Sequence, residues 1–340
     1  MNRFLYVCVF MICAGCSQSS MEKHQGSRDN VINIRAEVKE IMTDDALIGS
    51  YAHLYILGEY LIIADLRSSE QVIHIFDKRT LHYLLSAVNK GLGPGELANM
   101  GPIGVDEAQR RLYVSDFGKY KVFDYQIDSL IANPDSYIPK EKIKMNENLF
   151  PLDFTYFNDT LSIGVILEPI GNADYKPIVG KWNMLTGEIK LMQYEHPKIT
   201  KRKRIEFAVS MEHGIYVECY STYDLMSICS LDGELKYNIY GRKWDNYLSN
   251  TRHYGAVAIC GDKIVALYSG EQEYTHTDKG EIFVAYPSKF HVFDLNGDYI
   301  KTLDTGYKIS GLCYDKENKR MLMNLNDEMQ FAYFDIGKYL

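Results

Sequence analysis

The side chains with the clearest potential for chemistry are three arginines, a tyrosine and a histidine that flank short apolar segments. They are Arg67, Arg204, Tyr220, Arg252 and His253. A guanidinium group presents a planar fork of N–H donors that matches a carboxylate or a phosphate, and tyrosine adds a stacking face with a hydroxyl. If the fold brings these residues together, they predict a cationic, aromatic-lined site for an anionic small ligand. If it does not, they are solvated surface residues.

Patterns typical of catalysis or of metal binding are weaker. The chain has no G-x-S-x-G segment, its nine histidines are scattered, and its cysteines beyond residue 16 show no metal-ligand spacing. The glycine-rich run 91–95 is not followed by Lys-Ser or Lys-Thr, as a phosphate loop would be. Its glycines and proline instead favour a tight crossing between two strands. No catalytic residue, metal or cofactor is therefore assigned, and binding is favoured over catalysis.

Composition indicates a folded, sheet-rich domain without general affinity for nucleic acid. The formal charge is −8, and the one dense basic run, residues 198–204, is local. Hydrophobic residues make up 46% of the chain, which is enough for a sizeable core. Aromatic residues make up 13%, including 27 tyrosines, and such side chains favour strands.

Residues 1–15 predict a signal peptide of the bacterial lipoprotein type. Arg3 precedes an apolar run, residues 4–14, that is too short to span a bilayer as a helix. The ending Cys13-Ala14-Gly15-Cys16 resembles a lipobox, with Cys13 where that pattern prefers leucine. The resemblance implies cleavage before Cys16, acylation of its thiol and anchoring to a membrane of the cell envelope, either at the outer membrane or on the periplasmic face. A soluble secreted form is the alternative.

The residues after this segment predict a tether and an oxidising compartment. Residues 16–30 are polar and lack periodicity, which is typical of a flexible linker. Beyond them, the sequence allows a disulfide between Cys219 and Cys229, because their strands are expected to be neighbours in a hairpin. Buried free thiols in apolar strands are the alternative.

A repeat with a period near fifty residues supplies the elements that must position the candidate side chains. Its clearest copy, residues 90–124, contains a glycine-rich connection, a strand, a turn, a second strand ending in Asp116, and a third strand. Related second strands begin 49 to 57 residues apart, at Leu61, Leu112, Leu161, Ile215, Ile264 and Met321. Six copies of a four-stranded unit over residues 31–340 predict an all-β, six-bladed β-propeller. Seven blades are the alternative if residues 128–150 contain further strands.

The segment before the first repeat is expected to close the ring. The last repeat shows three strands, and residues 32–42 are strand-like. We predict that this N-terminal segment supplies the outer strand of the last blade, which leaves no exposed sheet edge there.

The glycine connection 91–96 and the Val-Asp, Tyr-Val-Ser-Asp and Val-Phe-Asp segments that follow it resemble TolB-like and NHL-like six-bladed propellers. The nearest group is the one that Bacteroidetes carry as lipoproteins. The resemblance covers residues 31–340 and is sharpest over residues 60–125. It implies the fold and the lipid anchor, but that group is largely without assigned activity.

In propellers, ligands usually bind at one end of the central channel. The mouth is lined by loops that precede each inner strand and by loops that join the second strand to the third. The first set contains Tyr51, His53, Met100, Pro151, Arg204, Glu206, Arg252, His253, Lys308 and Ser310. The second set contains Arg67, Lys119, Glu168, Tyr220, Tyr223, Glu271, Tyr274, Asp327 and Glu328.

These observations predict an envelope-anchored binding or scaffolding propeller with a small ligand or a protein partner at the channel mouth. The alternative is a metal-dependent hydrolase or lyase, which would need carboxylates and imidazoles that converge on the axis, such as His53, Glu206 and His253. A third hypothesis is that the insertions 128–150 and 271–289 dock another envelope protein.

Overall fold

The computed structural model describes residues 21–43, 45–146, 148–171, 174–199, 203–245, 250–276 and 282–340. The predicted signal peptide and Cys16 lie outside these residues. No helix in the described part of the chain is long and apolar enough to cross a membrane.

The described residues form six four-stranded blades around a central axis, and this arrangement confirms the predicted six-bladed β-propeller. Each blade is antiparallel, with its first strand nearest the axis. The strands, from inner to outer, are Ala52–Leu57, Tyr60–Asp65, Gln71–Asp77 and Tyr83–Asn89 in blade 1; Met100–Asp106, Arg111–Asp116, Lys121–Gln126 and Lys140–Lys144 in blade 2; Phe150–Asn158, Leu161–Gly171, Asp174–Trp182 and Ile189–Leu191 in blade 3; Ile205–Ser210, Ile215–Tyr220, Leu225–Ser230 and Leu235–Tyr240 in blade 4; Thr251–Cys260, Lys263–Gln272, Lys289–Asp294 and Tyr299–Asp304 in blade 5; and Ile309–Asp315, Arg320–Leu325, Phe331–Asp335 and Lys39–Glu40 in blade 6.

The insertion at residues 128–150 does not contain a seventh blade. It begins within a short helix, Ile127–Ala132, and continues into the outer strand of blade 2, Lys140–Lys144. The other insertion, residues 271–289, includes a separate hairpin of Tyr274–His276 with Ile282–Val284. Two short 3-10 helices, Arg35–Glu37 and Ile336–Lys338, complete the described elements.

Apolar clusters between neighbouring blades hold the ring together. Between blades 6 and 1, for example, Leu54 and Phe76 pack with Phe331. Between blades 2 and 3, Tyr113 packs with Trp182. Because both faces of each sheet are covered in this way, strands of the second position are buried on both sides, and their sequences alternate poorly.

A recurring aspartate fixes the loops on the mouth face of the disc. Asp116 ends the second strand of blade 2 and is fully buried. Its carboxylate accepts hydrogen bonds from the backbone N–H groups of Ala98 and Asn99, at 2.9 and 3.0 Å, and from Gly118, at 2.9 Å. One side chain therefore joins the loop before the inner strand to the loop after the second strand.

The glycine-rich connection has the structural role that its sequence favours. Its backbone folds around Glu96, which accepts from the N–H of Gly93 at 2.7 Å, and a Cβ at Gly91 would lie 2.1 Å from the Glu96 carboxylate. Lys119 donates from Nζ to the carbonyl oxygens of Gly93 and Glu96. The Lys119 ammonium group is therefore bound to the glycine-rich connection.

The segment 21–41, which we call the strap, runs along the outer edges of the last three blades. Glu22–His24 pairs in parallel with the outer strand of blade 4, and Val31–Asn33 pairs in parallel with that of blade 5. Lys39–Glu40 pairs antiparallel with residues 332–333 of blade 6. The predicted closure of the last blade is therefore present, but it uses two residues rather than the whole of 32–42.

The strap also differs from the flexible tether predicted over residues 16–30. Of that range the structure describes residues 21–30, which contain a strand in the blade 4 ladder and the buried side chain of Arg28. The predicted tether lacked hydrophobic periodicity because this segment is held by backbone ladders and polar contacts rather than by an apolar face.

The two cysteines for which the sequence allowed a disulfide, Cys219 and Cys229, are free thiols. Cys219 and Cys229 lie on neighbouring strands of blade 4, but Cys219 is opposite Met226 and Cys229 is opposite Tyr216. Both thiols are buried, as the alternative interpretation expected.

Candidate functional site

A cavity of about 700 Å³ opens at one end of the central channel, and we call it the axial cavity. It is lined by loops before the inner strands and loops between second and third strands, which is the face that the repeat predicted. Every blade contributes. The polar and aromatic side chains around it include Tyr51, His53, Arg67, Asn99, Phe117, Asp153, Glu206, Arg252, Tyr286, Ser310, Asn324 and Asn326.

Breaks in strand register accompany several of the side chains that line the cavity. The inner strand of blade 3 shifts register between Pro151 and Asp153, and that of blade 5 shifts between Arg252 and Tyr254. Such bulges bend a strand and change the direction of its side chains. Asp153 and Arg252, next to these two bulges, both line the axial cavity.

Two arginines present guanidinium groups to the cavity. The backbone N–H of Arg67 donates to the buried Asp65 at 3.1 Å, and its guanidinium carbon lies 4.3 Å from the centre of the Tyr51 ring. The guanidinium carbon of Arg252 lies 5.9 Å from the centre of the Tyr286 ring. Neither arginine has an ion pair within 4 Å among the described residues. Stacking on a ring leaves the N–H groups at the guanidinium edge available to an anion.

Two carboxylates and an imidazole share this space. The surrounding protein removes bulk water, which raises the pKa of Asp153 and of Glu206; His53 opposes this rise at Asp153, and Arg252 opposes it at Glu206. The same desolvation lowers the pKa of His53, and the nearby Asp153 counteracts it. Asp153 and His53 are exposed to the cavity, yet loss of bulk water is the largest cause of the pKa shift at all three groups.

The structure brings together only two of the five predicted site residues, Arg67 and Arg252. Arg204 lies outside the cavity lining and pairs with Glu273 at 3.5 Å. Tyr220 is fully buried and donates its hydroxyl to Glu218 at 2.9 Å.

His253 is also absent from the cavity lining. Its side chain is buried, with its ring 6.2 Å from that of Tyr268, and its backbone N–H donates to the carbonyl of Ser221 at 2.7 Å. Arg252 and His253 are neighbours in the inner strand of blade 5, but only Arg252 lines the cavity.

Several cavity-lining residues were not singled out in the sequence, and Asp153 is the charged one among them. The predicted mouth position in blade 3 was Pro151, and the bulge moves the cavity-facing position two residues onward. The signal available in the sequence was a carboxylate directly before the apolar strand residue Phe154. Tyr51, His53 and Glu206 lie in predicted mouth loops and do line the cavity.

No group of three or more His, Cys, Asp or Glu side chains within the described residues is placed to hold a metal ion. Of the three residues named for such a site, His53 and Glu206 line the axial cavity, whereas His253 is buried elsewhere.

A family model described as DUF5128, 6-bladed beta-propeller, matches residues 41–140. The matched segment covers blade 1 and most of blade 2, which include the sharpest copies of the repeat. No curated protein matches the chain significantly.

Several solved structures share the fold. A member of the DUF4221 family from Bacteroides vulgatus is 13% identical, with a TM-score of 0.60, and the match covers 88% of this chain and 98% of that one. A second structure is that of a Bacteroides fragilis protein, which is described, by inference, as exported. It is 12% identical, with a TM-score of 0.56, and the match covers 92% of this chain and 98% of that one. A luciferin-regenerating enzyme is 8% identical, with a TM-score of 0.54, and the match covers 87% and 94%. At these identities the likeness shows the fold alone: a six-bladed propeller of a kind found in Bacteroides.

Proposed function

We propose that this protein is a binding propeller that holds a small anionic ligand in its axial cavity. One observation carries the proposal: Arg67 and Arg252 face the same space of about 700 Å³, and neither has an ion pair among the described residues. A guanidinium in a partly desolvated cavity is best satisfied by a carboxylate or a phosphate. Ligand pockets of this size typically enclose a small molecule.

Binding of simple anions by the purified protein tests this proposal. Thermal shift and calorimetry with succinate, glucuronate and glucose 6-phosphate should identify at least one ligand. Arg67→Gln and Arg252→Gln should each weaken its binding by about 10-fold or more, because a hydrogen bond to a charged group contributes about 1.5–3 kcal/mol. Arg204→Gln is the matched control, since Arg204 lies outside the cavity. Binding that is absent, or equally strong in all three variants, would contradict the proposal.

We also propose that the propeller is held at a bacterial envelope membrane through acylated Cys16, where an envelope protein is a further partner class. The lipobox-like segment 13–16 supports this location, and so does the fold shared with a Bacteroides protein that is described, by inference, as exported. Metabolic labelling with a fatty-acid analogue tests it. Label should appear on the protein and disappear in Cys16→Ala, with the variant leaving the membrane fraction. A labelled Cys16→Ala protein would refute the assignment.

Acid–base catalysis is a second candidate function for the same cavity. Burial raises the pKa of both Asp153 and Glu206, and the Asp153 carboxyl raises that of Glu206 further; a pair of such carboxyls can supply a general acid and a general base. The expected reaction class is hydrolysis or elimination. Ligands found in the anion screen should then be converted to products detectable by NMR, with conversion lost in Glu206→Gln and retained in Glu212→Gln. Ligands recovered unchanged would favour binding alone.

A further inference from the structure

The charges around the axial cavity are unevenly distributed among the blades. Blade 1 contributes Arg67 and blade 5 contributes Arg252, while blade 6 between them contributes Ser310, Asn324 and Asn326. Blades 5, 6 and 1 therefore form an arc with cations and no carboxylate in the lining.

The opposite arc carries the acids. Blade 3 contributes Asp153 and blade 4 contributes Glu206, and no lysine or arginine of either blade lines the cavity in the described part of the chain. Blade 2 contributes uncharged groups, including Asn99 and Phe117. Consecutive blades are neighbours in the ring, so blades 3 and 4 form one continuous acidic arc.

The two arcs are not neutralised by each other. Arg252 is the cation nearest in the ring order to Glu206, and it does influence the Glu206 carboxyl. However, neither Asp153 nor Glu206 forms an ion pair within 4 Å among the described residues. Unpaired charges of both signs in one cavity leave each sign able to form charge-assisted hydrogen bonds with a ligand.

We propose that the axial cavity binds a dipolar small molecule, whose anionic group lies on the arginine arc and whose cationic group lies on the acidic arc. This inference rests on the proposed function and specifies its ligand class. A ligand with a carboxylate alone would leave Asp153 and Glu206 without a counter-charge. A ligand that also carries an ammonium group would satisfy both arcs, because an ammonium donates three hydrogen bonds to carboxylate oxygens.

The inference predicts the sign of a proton linkage. The groups that face the acidic arc are His53 and Tyr55 of blade 1, Arg252 of blade 5 and, behind Glu206, Cys219 of blade 4. Burial raises the pKa of both carboxyls in the free protein; His53 opposes this rise at Asp153 and Arg252 opposes it at Glu206 without cancelling it. A ligand ammonium would lower these pKa values, so binding should release protons, and affinity should rise with pH. An anion without the ammonium group should have the opposite effect.

Three tripeptide probes of equal length test the inference on the full protein. Triglycine carries both charges, N-acetyl-triglycine only the carboxylate, and triglycine amide only the ammonium group. We expect triglycine to bind about 10-fold more tightly than either analogue, a difference that corresponds to about 1.4 kcal/mol. Calorimetry at about pH 6, in two buffers of different ionisation enthalpy, should show proton release with triglycine and proton uptake with N-acetyl-triglycine.

Variants separate the two arcs. Asp153→Asn with Glu206→Gln should abolish the preference for triglycine while retaining or strengthening binding of N-acetyl-triglycine. Glu212→Gln, an exposed carboxylate outside the cavity, is the control and should behave as wild type. Circular dichroism and thermal melts establish that each variant is folded.

The outcomes distinguish this inference from the proposed function. If N-acetyl-triglycine binds as tightly as triglycine, the dipolar ligand class is wrong and anion binding stands. The same holds if only the simple anions of the earlier screen bind, with dependence on Arg67 and Arg252. If neither the tripeptides nor any simple anion binds, or if triglycine amide binds most tightly, the dipolar ligand class and the anion-binding function are both overturned.

Discussion

At the scale of single residues, the axial cavity holds two carboxyls whose ionised forms are disfavoured in the folded protein. Asp153 and Glu206 are held where water is reduced and no ion pair compensates them. Binding sites commonly carry such locally unfavourable groups, because the same groups become favourable once a ligand completes them. Their effect on the free protein should therefore be measurable without knowledge of the ligand.

The double variant Asp153→Asn, Glu206→Gln should be more stable than wild type at alkaline pH. A carboxyl whose pKa is raised in the folded state lowers the free energy of unfolding as pH increases from its unfolded pKa through its folded pKa. The neutral amides remove this loss, so we expect the Tm at about pH 8 to rise by roughly 1–3 °C. At about pH 3, below the unfolded pKa of both carboxyls, the two proteins should melt alike.

Thermal melts across this pH range, with Glu212→Gln as the control, measure the effect. A double variant that is less stable than wild type at about pH 8 would mean that the two carboxylates contribute favourable contacts in the free protein.

Sequence reasoning found part of this site, and the reason for its failures is geometric. Arg67 was named from its place in the loop between the second and third strands of blade 1, and it does line the axial cavity. Tyr220 and His253 lie outside the cavity lining, and the two-residue period of a strand does not reveal which face is turned to the channel when both faces are buried. Asp153 was missed because a bulge is not visible in the hydrophobic pattern.

At the scale of elements, a few polar contacts help to hold the strap against the blades. Arg28 enters the interface of blades 4 and 5, where its Nη1 lies 3.3 Å from Asp224 Oδ1 and 3.2 Å from His291 Nδ1. Its guanidinium carbon is 5.3 Å from the centre of the Phe293 ring. Both charged side chains of this pair are nearly inaccessible to solvent. A buried ion pair is costly to break on one side only, because the remaining charge is left without a partner.

Arg28→Met should therefore lower the free energy of unfolding by about 3–5 kcal/mol. Arg35→Met is the matched control within the same strap. Arg35 is exposed and stacks on Tyr307, with 4.2 Å between its guanidinium carbon and the ring centre, so its loss should cost about 1 kcal/mol or less. Urea denaturation of both variants measures the difference. Equal losses would mean that Arg28 contributes no more than a surface cation.

The strands of the strap could not be predicted from its sequence, although its closing role was. Glu22–His24 and Val31–Asn33 are three residues long, and only the middle residue of each is partly buried. They are held by backbone hydrogen bonds to the outer strands of blades 4 and 5, and backbone bonding leaves no side-chain pattern. Lys39–Glu40 was anticipated from a different signal, the missing fourth strand of the last repeat.

At the scale of the whole molecule, a propeller depends on closure because each blade is stabilised mainly by its neighbours. Sequence reasoning predicted the blade number correctly, since the repeat records one blade per fifty residues and every interface uses the same buried second strands. The final blade is the exception in topology. Its fourth strand comes from the N-terminal side of the chain, and Ile34 and Ile41, both buried, anchor the strap on either side of the turn Arg35–Glu37.

Stepwise removal of the strap should separate edge stabilisation from ring closure. A chain that begins at Val31 loses the strand on blade 4 and the Arg28 contact but keeps blade 6 complete. We expect it to remain a folded monomer with a lower Tm. A chain that begins at Asp45 loses Ile34, Ile41 and the strand Lys39–Glu40, which exposes the edge of Phe331–Asp335 in blade 6. Loss of each buried isoleucine costs about 2–5 kcal/mol, and an unpaired edge recruits other chains.

The shorter chain should therefore unfold without cooperativity or elute as oligomers in size-exclusion chromatography. A synthetic peptide spanning residues 31–43 should restore a monomer with a cooperative melt when it is added to that chain, because it supplies the missing fourth strand. A peptide in which Ile34 and Ile41 are replaced by Asp keeps the length and lacks the apolar anchors, so it should not. Monomeric, cooperative melting of the chain that begins at Asp45 without any peptide would show that six blades close through their inner strands alone.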